Sequence, residues 1–102
     1  MIYVYLDDFL IDPLIGTTKL EDFEADSIEE VEKLGVTDEY WKKQLVIYGT
    51  YKRIAVNLLE ANGEGMKEKL DHYTKEWDRV YKMSVGAKGT QKTAYTAAIQ
   101  RG

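Results

Sequence analysis

The chain contains no cysteine, one proline and one histidine among its 102 residues. The missing thiols exclude disulfides, thiolate metal sites and cysteine nucleophiles, so packing alone has to hold the fold. Long apolar runs are missing as well. Nothing approaches the ~20 residues that span a bilayer as a helix, and the opening Met1-Ile2-Tyr3-Val4-Tyr5-Leu6-Asp7-Asp8 lacks the basic stretch that begins a signal peptide. An intracellular protein without a membrane partner is the expectation. The last absence is local: "SVGAKGTQKTAYTAAIQRG", residues 84–102, holds no Asp or Glu but does hold Lys88, Lys92 and Arg101.

What is present is ordinary for a globular domain, with 44% hydrophobic and 31% charged residues. A chain this long forms one domain, and folding removes roughly 60–70% of the unfolded chain's surface from water. The formal charge of −4 hides an asymmetry. All 18 acidic residues precede Gly86 together with 11 of the 14 Lys and Arg, leaving a body of −7 and a tail of +3. An acidic body argues against tight duplex DNA binding, whose affinity comes largely from cations on phosphates. A basic tail instead seeks an acidic or polar partner surface.

The first twelve residues read either way. Tyr3, Val4, Tyr5 and Leu6 favour extended backbone, whereas Leu6, Phe9 and Leu10 would share one helical face. Asp12-Pro13 marks a short helical turn, capped by Asp12 and ended by Gly16. Ser27 with Glu30 forms a capping box before Ile28, Val31 and Leu34, so a short helix is expected over 28–34, ended by Gly35. Thr37 or Asp38 then caps a long helix through "EYWKKQLVIYGTYKRIAVNLLEANG", stopping at Asn62-Gly63.

That helix carries two apolar stripes: Trp41, Leu45, Tyr48, Ala55 and Leu59, and beside them Tyr40, Ile47, Tyr51, Ile54 and Leu58. Gly49 in its middle costs about 1 kcal/mol of helix propensity, which points to close backbone approach by a crossing N-terminal element. In the next helix Met66, Leu70, Tyr73, Trp77, Val80 and Ser84 make one narrow seam. The short Asn62-Gly63-Glu64-Gly65 connection requires the two helices to pair antiparallel. The fold class is therefore all-α: a small helical bundle on a long antiparallel hairpin, with a short N-terminal element. The bundle is expected over 1–85. A flexible basic tail is expected over 86–102, where small polar residues bury too little to offset their ordering entropy.

Candidate reactive groups are few. His72, between Asp71 and Tyr73, has no Ser or Asp partner at useful spacing and reads as a half-exposed helix residue. Asp7, Asp8 and Asp12 do not match a calcium loop and read as a turn cap and solvated carboxylates. "GEGMKEK" follows no strand and lacks Gly-Lys-Ser or Gly-Lys-Thr, so it reads as a hairpin turn. No metal, cofactor or catalytic set is expected, and the chain is not read as an enzyme. The aromatic content is high, and Tyr3, Tyr5, Tyr40, Tyr81 and Tyr95 are the interface candidates.

In order, the helix "DSIEEVEKLG", the aromatic-rich "YWKKQLVIYGTYKRIAVNLL" and the helix "GMKEKLDHYTKEWDRVYK" with Tyr73 near its middle carry a resemblance. The chain resembles the head-to-tail connector adaptors of long-tailed bacteriophages, of the Bacillus phage type, over roughly residues 26–85, with the tail matching in character only. The resemblance implies a virion protein, cytoplasmic before assembly and monomeric when free. It would join a ring of about twelve subunits on the portal ring. It would extend the DNA channel without specific DNA binding and offer a surface to the next connector or stopper protein. The acidic body suits a non-adhesive channel. The basic tail could fold onto an acidic portal surface, with Lys88, Lys92, Tyr95, Ile99 and Arg101 as contacts. The alternative is a stand-alone helical interaction module that regulates a single partner.

Overall fold

The two long periodic stretches both become helix, and their side chains show how they meet. The computed structural model describes residues 2–92, with side chains throughout except at 60–64 and 86–92. α1 is Asp8–Ile11, followed by a 3-10 turn over Asp12–Leu14; α2 is Lys19–Lys33, and α3 is Glu39–Lys92. No strand occurs among the described residues.

α3 holds 54 residues. A straight helix of that length would measure ~81 Å, whereas the molecule's longest dimension is 49 Å. The run therefore doubles back. Tyr51 stacks on Tyr73 with ring centroids 4.5 Å apart, and Lys52 Nζ lies 4.8 Å from the Trp77 ring centroid. These pairings place the reversal near Asn62-Gly63 and make the arms antiparallel, as the seam pattern requires. Helical backbone continues through 60–64, so the chain turns there without the full stop expected.

The seam of the second arm is buried at Met66, Tyr73, Val80 and Ser84. It faces Leu45, Val46, Tyr51, Ile54 and Ala55 of the first arm in two adjoining clusters. One gathers Tyr5, Leu10 and Leu14 with Tyr51, Met66 and Tyr73; the other gathers Val31 with Leu45, Val46 and Val80. Asp38 caps the first arm, its Oδ1 accepting the Tyr40 and Trp41 N–H groups at 3.0 and 3.3 Å.

α2 begins nine residues earlier than the capping box suggested. Ser27 is no cap: it is fully buried in mid-helix, and its hydroxyl accepts from Arg53 Nη1 at 3.0 Å. A Cβ on Gly49 would sit 3.2 Å from Ser27 Oγ and 3.3 Å from Trp77 Nε1. Small residues at both positions let α2 cross the first arm closely, which is the approach Gly49 signalled. Gly35, at φ 77°, ends α2 as expected.

The Asp12–Leu14 turn and Gly16, at φ 85°, also lie where Pro13 and Gly16 placed them. Asp12 makes no side-chain cap there; the turn is closed by the Ile15 N–H on the Asp12 carbonyl at 3.2 Å. At the other end the helix passes Gly86 and runs to Lys92. Ala87, Lys88, Gln91 and Lys92 favour helix, and extending an existing helix avoids the cost of nucleation.

Candidate functional site

The segment from Ile2 to Asp7 is in no helix, yet side chains hold four of its main-chain N–H groups. Glu24 on α2 accepts from Ile2 and Tyr3 at 2.9 and 3.1 Å. The Tyr51 hydroxyl, on the first arm of α3, accepts from Leu6 and Asp7 at 2.7 and 3.0 Å. Asp7 in turn accepts from Lys69 Nζ at 2.8 Å and from the Tyr73 hydroxyl, both on the second arm. The segment is thus a strap joining three helical elements. Phe9 completes it at the hairpin end, its ring 3.1 Å from where a Cβ on Gly65 would lie.

Between these clamps the Tyr5 side chain enters the core. Its hydroxyl donates to Glu24 at 2.7 Å, and its oxygen lies 3.3 Å from Thr50 Oγ1. Thr50 gives its own proton to the Val46 carbonyl at 2.7 Å. Its side chain thus serves the buried network while bonding back along the helix.

Both carboxylates titrate below their ordinary range. Burial pushes Glu24 upward, but the Tyr5 hydroxyl and the Ile2 and Tyr3 N–H groups outweigh it. Burial likewise pushes Asp7 upward, and the Lys69 and Tyr73 bonds outweigh it. Tyr5 and Tyr73 shift far upward, chiefly through burial, with Glu24 and Asp7 adding to it. The hydroxyls therefore stay protonated donors and the carboxylates stay ionised acceptors across the physiological range. Groups so saturated are poorly placed for proton transfer near neutral pH. Chemically the arrangement is a clamp.

His72 is exposed, with its ring edge-on to Tyr73 at 4.8 Å. Among the described residues no cluster of His, Cys, Asp and Glu is placed to hold a metal ion, and no helix is long and apolar enough to cross a membrane. An open groove of about 470 Å³ is lined by Phe23, Asp26, Glu30, Lys52, Arg53, Val56 and Asn57. Arg53 is committed there to Ser27 and Glu30, at 3.0 and 3.1 Å, and Lys52 to Trp77.

The interface candidates divide. Tyr40 is 60% exposed, edge-on to Trp41. Tyr81 is half-buried and stacks on Trp77 at 5.4 Å. Tyr3 is half-buried and packs on both clusters. Tyr5 is buried at 9% exposure, a core residue rather than an interface one, because Glu24 and Thr50 supply partners for its hydroxyl inside. Asp7 is likewise held by Lys69 and Tyr73 rather than merely solvated. Lys88 and Lys92 lie on the helical extension, while Tyr95, Ile99 and Arg101 fall outside the described residues.

The surface row that residue types did not single out is apolar. Ile2, Val4 and Leu6 are 71%, 73% and 81% exposed, while Tyr3, Tyr5 and Asp7 between them point inward. Period-two alternation was the signal available for it. No protein-family model, curated protein or solved structure matches the chain.

Proposed function

We propose that this chain is a structural assembly protein, a helical adaptor of the phage connector kind that docks on a portal ring and carries the DNA channel toward the tail. The observation that supports this most is the basic end of α3. Among the described side chains the last buried seam residue is Ser84, and helical backbone continues to Lys92. From Arg79 to the C-terminus the sequence holds five cations and no acid. A helix end with that charge is suited to meet an acidic surface elsewhere. The clamped body supports the same reading: Glu24, Tyr51 and Asp7 brace the N-terminal strap against the helices. In the assembled ring the acidic body faces a channel through which DNA slides without sticking.

The test is binding of the full-length chain to isolated portal rings, followed by light scattering or sedimentation. The double substitution Lys88→Glu with Lys92→Glu leaves the seam intact and is expected to abolish binding. Undiminished binding of that variant, or no binding by the parent chain, would refute the proposal. A saturable one-to-one complex with some other single protein would favour the stand-alone interaction module.

A further inference from the structure

We propose that the outer edge of the N-terminal strap is a docking site for the last ten residues of a second copy of this chain, so that copies join head to tail. The receiving segment is non-helical, with Ile2, Val4 and Leu6 exposed on its outer side. The main-chain N–H groups of Val4 and Tyr5 have no acceptor among the described residues, whereas those of Ile2, Tyr3, Leu6 and Asp7 are taken by Glu24 and Tyr51. An anchored, non-helical segment with open main-chain donors and an exposed apolar row can take an added chain along it.

Charge and pattern select the occupant. Residues 1–32 hold ten of the 18 acidic residues and one of the 14 Lys and Arg. Asp8 is exposed at the end of the row itself. The partner segment is therefore cationic and alternately apolar. In this sequence Tyr95, Ala97 and Ile99 stand at alternate positions between Lys92 and Arg101, with no acid among them. Three apolar groups in register meet three, and basic ends meet an acidic surround.

Reach decides that the segment comes from another copy. Tyr3 packs in the layer of Leu45, Val46 and Val80. Lys92 is twelve residues beyond Val80, or ~18 Å farther along the arm. Tyr95 follows Lys92 by three residues, at most ~11 Å of chain. While the helix holds to Lys92, a chain cannot seat Tyr95 on its own strap. The contact is thus heterologous and propagates from copy to copy, closing a ring where a template sets the angle. Five residues against five bury well under the ~1,200 Å² of a stable interface, so copies associate weakly until a template concentrates them. The portal contact proposed above then rests on Lys88 and Lys92, and the strap contact stands independently of it.

The test uses the full chain without any portal. Because the protein has no cysteine, Leu6→Cys with Ile99→Cys introduces the only two thiols, and the exposed position of Leu6 spares the fold. Oxidation at high protein concentration and low salt is expected to give a ladder of disulfide-linked dimers, trimers and higher species. Adding Val4→Lys, which puts a like charge and a desolvated ammonium in the contact, is expected to lower the ladder about tenfold or more. A product of internally closed monomers, an absence of linkage, or a ladder indifferent to Val4→Lys would each overturn the proposal. Failure here leaves portal binding untouched, and failure of portal binding leaves the ladder.

Discussion

Removing one oxygen tests the strap directly. In Tyr51→Phe the ring keeps its stack on Tyr73 at 4.5 Å and its edge contact with Tyr5 at 5.6 Å. Only the acceptor for the Leu6 and Asp7 N–H groups is lost, and it served them at 2.7 and 3.0 Å. Each such bond contributes about 0.5–1.5 kcal/mol net, so the pair is worth about 1–3 kcal/mol. The strap lies at the surface, so water can replace part of this, and the expected loss is toward the lower half of that range. In a domain of about 100 residues each kcal/mol lowers Tm by about 4–8 °C. Urea denaturation gives the free energy, and amide hydrogen exchange shows where it is lost. Protection at Leu6 and Asp7 is expected to fall while that at Ile54 holds. A stability change below about 0.5 kcal/mol with unaltered exchange at Leu6 and Asp7 would refute the clamp.

Other outcomes follow from the same contacts. Gly49→Ala gains about 1 kcal/mol of helix propensity. It also drives a methyl against Ser27 Oγ and Trp77 Nε1, both held in place, and a net destabilisation of about 1 kcal/mol is expected in urea; a stabilised variant would contradict the close crossing of α2. Trp77→Ala, at a half-buried seam position, is expected to cost about 2–4 kcal/mol by thermal denaturation, and a change under about 1 kcal/mol would mean a different helix register. Glu24 and Asp7 bind protons less readily folded than unfolded. Their contribution is therefore complete above about pH 5 and is lost as pH falls through and below about 4. Glu24→Gln should flatten that acid limb in a stability-versus-pH series, and an unchanged limb would remove Glu24 from the linkage. Tyr5 and Tyr73, shifted upward, act in the opposite sense: their contribution is complete below about pH 10 and is lost as pH rises past it. In the 295 nm difference between the parent chain and a Tyr5→Phe, Tyr73→Phe double variant, tyrosinate absorbance should appear together with unfolding; early ionisation of both in the native state would contradict their burial.

The hairpin was legible because its evidence is local and periodic. Met66, Leu70, Tyr73, Trp77, Val80 and Ser84 can share a face only as a helix, and a four-residue connection leaves one way to pack it. Gly49 was informative for the opposite reason, an unfavourable residue retained where a neighbour comes close. Ser27 misled because the same Ser-x-x-Glu spacing serves a capping box and a buried helix crossing; Arg53, 26 residues away, decides between them. The clamp was hidden for a similar reason. Glu24 looks like any helix-surface carboxylate until Ile2, Tyr3 and Tyr5 arrive from 19 to 22 positions upstream. The Leu6 and Asp7 donors likewise meet Tyr51 across more than 40 residues. Asymmetry of charge was readable in full, because it needs no coordinates.

The most direct measurement of the proposed adaptor function is stoichiometry, by sedimentation of the chain alone and with isolated portal rings. At micromolar concentration the free chain should sediment as a monomer of 11.8 kDa and load onto the ring to about one copy per portal subunit. A large oligomer without the ring, or a single chain bound per ring, would contradict template-directed assembly.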